Sequence, residues 1–171
     1  EPWNIPWPPM DQQDMRDSLR HRAILAGGIA TGLLLTAAAN ARALVDPVNK
    51  DRAGLALKGY DPVAYFKHDK PVKGSAQITH TWIGATWRFA SGENRDAFAA
   101  NPAQYSPQFG GYCSWAVSQG YTADIDPEAW KIVDGRLYLN YSKDVQRKWE
   151  QDIPKRIQEA NKNWPKLHKL R

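Results

Sequence analysis

Apolar and polar positions alternate along two parts of this chain. In the first, Ile78, His80 and Trp82 share one side of an alternating run, and Thr86 to Ala90 is again rich in β-branched and aromatic residues. Gly84-Ala85 lies between the runs, so a hairpin is predicted there. In the second, Trp130 and Ile132 alternate against Leu137, Leu139 and Tyr141 across Asp134-Gly135, a dipeptide suited to a tight turn. A different period follows. Val145, Trp149, Ile153, Ile157 and Ala160 or Asn161 recur about every four residues, which predicts one apolar stripe on a helix that Ser142 caps. Pro154 cannot continue a helix unbroken, so it should kink this one or restart it with Asp152 as a local cap.

Shorter elements fill the interval. Lys58 to Pro62 is a turn around Tyr60, followed by a short apolar run from Val63 to Phe66. Ser91 should cap a helix running to Ala100 and stopped by Asn101-Pro102. Gln104 to Gly111 is expected as a loop, and Cys113 to Val117 as a short helix ending near Gly120. The fold class implied is α+β: a small antiparallel sheet with helices on one side and a long, kinked C-terminal helix packed across it.

Before the domain stands a different kind of sequence. Arg16, Arg20 and Arg22 precede Ala23 to Ala39, 17 residues without a charge. Ala39-Asn40-Ala41 and Ala41-Arg42-Ala43 both suit a signal peptidase. A helix of that length is about 26 Å long, against roughly 30 Å of hydrocarbon. Length therefore favours a removable signal. Trp3 and Trp7, spaced by prolines, resemble a strap lying at a membrane interface, which favours a retained anchor. Arg20-His21-Arg22 approaches a twin-arginine signal interrupted by His21, so Sec and twin-arginine export both stay open. The chain divides into a strap and basic region (1–22), a signal peptide or membrane-anchor helix (23–43), a polar linker (44–53), a domain (54–165) and a basic tail (166–171). The domain is expected outside the cytoplasm, in the periplasm, anchored in the inner membrane if the helix is kept.

Charge adds one feature. The net charge is +5, and the stretch from Lys143 to Arg171, with nine Lys/Arg against four Asp/Glu, accounts for all of it. Alternating signs there favour a solvated helix face over a nucleic-acid footprint, with an acidic protein or anionic lipid between those two readings.

The candidate chemistry is sparse. A single cysteine, Cys113, excludes an intramolecular disulfide and any metal cage built from thiolates alone. Small apolar cysteines are usually buried, and burial is the reading favoured here. His80 beside Cys113 would offer a copper or zinc site, and Asp124 or Asp126 behind His80 a nucleophilic arrangement, but no spacing motif supports either. His80 is expected as a hydrogen-bonded core histidine, with His68 and His168 solvated. Trp82, Trp87, Trp115, Trp130, Tyr112, Tyr121 and Tyr138 are expected in the core, or lining an aromatic cleft. The long loop from Tyr105 to Asp126 is where recognition is expected first. The candidate binding residues are therefore Tyr60, His80, Tyr112, Cys113, Trp115 and Tyr121.

Asp61-Pro62-Val63 and WRFASGENRDAFAANPAQY, with Phe89, Ser91, Phe98, Asn101-Pro102 and Tyr105 in place, resemble the YHS domain family. The stretches GYCSWAVSQGY and DPEAWKIVDGRLYLNYSKDVQ extend the likeness to longer exported bacterial members, over roughly Gly54 to Pro165. Many such modules are linked to metal handling. They carry one cysteine after Asp-Pro-Val and two more in a Phe-Cys-Ser-x-x-Cys pattern. Here those positions are Ala64, Ala90 and Asn94, so the resemblance implies a metal-module scaffold whose ligands are vacated. The resulting expectation is a non-enzymatic, exported accessory module that needs no cofactor and binds a protein partner, with a membrane complex as the candidate, and no nucleic acid. The alternative is a periplasmic copper, zinc or cofactor binder using Cys113 and His80.

Overall fold

The computed structural model describes residues 44–168. The N-terminal strap and the signal or anchor helix lie outside these residues. No helix among the described residues is long and apolar enough to cross a membrane.

The architecture is α+β. Helix α1 (Ala64–His68) is followed by the hairpin β1 (Ser75–Trp82) and β2 (Ala85–Phe89). Helices α2 (Gly92–Ala100), α3 (Pro102–Tyr105) and α4 (Ser114–Ser118) lead to a second hairpin, β3 (Asp126–Val133) and β4 (Arg136–Asn140). Helices α5 (Lys143–Glu150) and α6 (Ile153–Asn163) and a tight turn at Trp164–Lys166 complete it. The expected loop after Asn101-Pro102 is thus partly helical.

The sheet expectation needs correcting. The hairpins do not join into one sheet; each stands as its own antiparallel pair. In the first, His80 pairs with Trp87 and Trp82 with Ala85. The turn is Ile83-Gly84 rather than Gly84-Ala85, with both residues at positive φ (47° and 63°). In the second, Trp130 pairs with Leu139 and Ile132 with Leu137, as the alternation predicts. Asp134 and Gly135 turn it with φ of 50° and 71°, the sign at both positions that matches strand twist.

Helices do not lie on one side only, because β4 is buried on both faces. Leu137 and Leu139 enter one core with Trp87, Phe89, Phe98 and Tyr65. Tyr138, between them, points into a second core with Phe109, Val117, Trp149 and Ala160. Phe98 centres the first core, 5.2 Å from both Trp87 and Phe89. Such rings bury large areas, so a short hairpin can divide two packed interiors.

The long C-terminal helix breaks where proline demands. Ser142 Oγ accepts from Val145 N and caps α5. Asp152 accepts from Lys155 N and starts α6 anew, with Pro154 in its first turn, where no N–H is needed. α6 packs chiefly on α4 rather than across a sheet.

Two end segments also depart from expectation. Residues 44–53 are no free linker: Val48 is buried, Val45 N donates to Leu167 O (2.9 Å) and Asn49 N to Gly110 O (2.8 Å). Gly110 is required there, since a Cβ would sit 1.9 Å from Pro47 O. His168, expected in solvent, is buried and stacked on Trp164 with centroids 4.3 Å apart. His68 is exposed as expected.

Candidate functional site

The three positions singled out by the resemblance meet around one carboxylate. Asp61 opens the turn before α1 and is fully buried. Its Oδ1 accepts from Val63 N (2.8 Å) and Ala64 N (3.3 Å). Its Oδ2 accepts from Ala90 N (2.8 Å) and Asn94 Nδ2 (2.7 Å). Ala90 directly follows β2, and Asn94 lies in the first turn of α2, where its N donates to Ser91 Oγ (3.1 Å). Four donors occupy the roughly four acceptor positions of a carboxylate. Alanine offers no ligand atom and the Asn94 amide is engaged, so this cluster acts as a staple between α1, β2 and α2. Asp61 is a residue that composition and spacing alone gave no reason to choose. Its signal was its place before Pro62, where the turn gives way to the apolar run Val63 to Phe66.

Cys113 is the second focus. It precedes α4, is 1% exposed, and its Sγ accepts from Tyr141 N at 3.3 Å. Burial pushes the thiol pKa up, and backbone N–H groups of Ala116, Tyr141 and Trp115 offset only part of that. A thiol so placed is little ionised at neutral pH, the opposite of what nucleophilic or metal-binding chemistry needs. Beside it lies Asn140, fully buried and absent from the sequence-based candidates. Its Oδ1 accepts from Trp115 N (3.2 Å) and lies 3.9 Å from Cys113 Sγ. A lone polar residue closing the Leu137–Leu139 run was the available signal.

The other candidates are dispersed. His80 is half-buried with its ring edge-on to Phe98 at 6.0 Å, a packing contact in place of the expected core hydrogen bond. Its contact is with α2, whereas Cys113 contacts the end of β4. Among the described residues, no group of three or more His, Cys, Asp or Glu is placed to hold a metal ion. Tyr112 packs on Trp164 at 5.8 Å, and burial pushes its hydroxyl up to about 12. Trp115 lies under the Arg156 guanidinium, 4.4 Å from ring centre to Cζ. Tyr121 is 37% exposed, and the Tyr60 ring carries Lys73 Nζ at 4.8 Å. Of the seven aromatics expected in the core or lining a cleft, Trp82, Trp87, Trp115, Trp130, Tyr112 and Tyr138 pack in or against the two cores, and Tyr121 stays outside both.

The Tyr105–Asp126 segment is structured rather than a long loop, and it contributes Asp124 to a shallow cleft with Asn49 and Lys58. Burial pushes the Asp124 carboxyl up, but Lys58 Nζ (2.8 Å), Ile125 N and Asn49 Nδ2 (3.1 Å) outweigh it and hold it below the usual carboxylate range. Leu57, Lys58 and Gly59 on one side, and Phe109, Gly110 and Gly111 on the other, are consecutive positive-φ residues. Asn49 joins the second turn by donating to Gly111 O (3.1 Å) and reaches the first through Asp124.

No protein-family model, curated protein or solved structure matches this chain.

Proposed function

We propose that this chain is a non-enzymatic, exported accessory module of YHS type, held at the inner membrane by its N-terminal segment and docked on a larger membrane protein complex. The observation that carries the reading is the saturated carboxylate of Asp61. The positions where the resembling modules bear thiolates here supply two backbone N–H groups and an amide, all spent on that carboxylate. A scaffold kept while its ligand positions become internal staples is one that serves by shape. The surroundings of Cys113 support the same reading, since burial raises its pKa and its neighbours are an amide and backbone groups.

Purification of the full chain from native membranes in mild detergent tests this. The expected result is a protein that copurifies in fixed ratio, an N-terminal residue upstream of Ala23, and no stoichiometric metal. A metal ion held one per chain and lost in Cys113→Ser would overturn the reading in favour of a periplasmic metal binder.

A further inference from the structure

Helix α6 has two unlike faces. Inward, Arg156 lies over Trp115, Ala160 is fully buried, and Asn163 Nδ2 donates to Val117 O (3.0 Å) and Ser118 O (3.1 Å). Outward, Lys155 and Lys162 are exposed and lie two helical turns apart, so they share a face. Lys166, also exposed, follows in the turn Trp164–Lys166. None of the three has an ion-pair partner among the described residues. The nearby acids are occupied: Glu159 pairs with Arg156 (3.1 Å), and Asp152 accepts from Lys155 N as the helix cap.

The stripe ends where the domain begins. Val45 N donates to Leu167 O (2.9 Å), and Val45 bridges His168 in parallel. Leu44, 45% exposed, is the last described residue before the apolar N-terminal segment. The Asp46 carboxylate at this end pairs with Lys50 (3.5 Å). A row of unpaired ammonium groups therefore runs up to the point at which the chain leaves for its hydrophobic stretch.

We propose that Lys155, Lys162 and Lys166 dock the domain on an anionic lipid surface beside its tether. The inference rests on the membrane-tethered reading above. Continuity with residues 23–43 is what favours lipid over an acidic protein, because a retained anchor would bring headgroups to residue 44. Each such lysine is worth about fivefold in partitioning to an anionic leaflet, so the three together are worth roughly a hundredfold, weakened by salt.

The test uses the full chain in nanodiscs of phosphatidylcholine alone or mixed with phosphatidylglycerol. Acetylation by an amine reagent is followed residue by residue in mass spectra, with Lys70 as internal reference. The stripe lysines should react several-fold more slowly than Lys70 only in the anionic discs, and high salt should abolish the difference. A triple Lys155→Glu, Lys162→Glu, Lys166→Glu variant should lose preference for anionic discs. Arg52→Glu, Lys70→Glu, Arg136→Glu, with the same charge change elsewhere on the surface, should keep it. Equal reactivity in both discs, equal losses in the two variants, or protection seen only with a copurified protein would overturn the proposal. If native protein starts near Arg42 or Leu44, the tether reading fails on its own. The processed chain is then mixed with vesicles of the same two compositions. Salt-sensitive binding to anionic vesicles that the stripe variant lacks still supports docking, and absence of binding overturns it.

Discussion

Asp61 and Asn140 are both fully buried, short and polar, and both draw backbone N–H groups from elements that would otherwise end unpaired. They differ in how completely they are used. Asp61 receives four donors within 3.3 Å, from three elements and the turn between them. Asn140 accepts one backbone N–H and a distant sulfur contact, while its Nδ2 and the neighbouring Ser114 Oγ are buried without a hydrogen-bond partner among the described residues. A buried charge must be met in full or it unfolds its surroundings, whereas a neutral amide tolerates partial satisfaction. The Asp61 end of the first core is therefore fixed by electrostatics as well as packing. The Cys113 end of that same core is held by packing, with polar capacity left over.

That contrast can be broken most directly at Asp61. Asp61→Asn turns an NH2 toward existing donors and removes the charge, and should cost roughly 3–5 kcal/mol in urea unfolding, enough to unfold much of the protein at 37 °C. Asn94→Leu removes a single donor and should cost about 2 kcal/mol, and clearly less when Asp61→Asn is already present, because the two share one hydrogen bond. At the second hub, Asn140→Ala leaves Trp115 N unpaired and should cost only about 1–2 kcal/mol, with iodoacetamide reaching Cys113 faster than in the parent. A cost at Asn140 equal to that at Asp61 would erase the distinction.

Asp124 sharpens the same comparison from the solvent side. It too collects several donors, but it is exposed, with Lys58 its strongest partner. Its folded pKa is depressed, so its contribution is present above the unfolded value near pH 4 and is lost as pH falls through the lower folded value. Lys58→Met should reduce that acid-limb loss and change neutral-pH stability by no more than about 1 kcal/mol, read from thermal melts across pH.

Local signals in the sequence were enough for local structure. The caps at Ser91, Ser142 and Asp152, the break at Pro154 and the Asp134-Gly135 turn each depend on a few adjacent residues, and each is where it was expected. Contacts that span the chain were not legible. Asn49 meets Gly111 across 62 residues, which turns a polar linker into part of the core wall. Nothing in the hairpin patterns tells whether two antiparallel pairs join, and here β4 instead takes packing on both faces. His168 looked solvated because its neighbours are basic, and a single ring, Trp164, reverses that. At the candidate site, the motif identified Ala64, Ala90 and Asn94 as a set, but only folding shows that Asp61 is what they share.

The backbone contact between Val45 and Leu167 makes the two ends of the domain neighbours in space. Tension applied across those ends would load that one contact first and reach neither hairpin until it parted. The same proximity means that a short peptide joining His168 to Leu44 closes the domain into a ring, which can be reopened at Asp134–Gly135 without cutting through either interior.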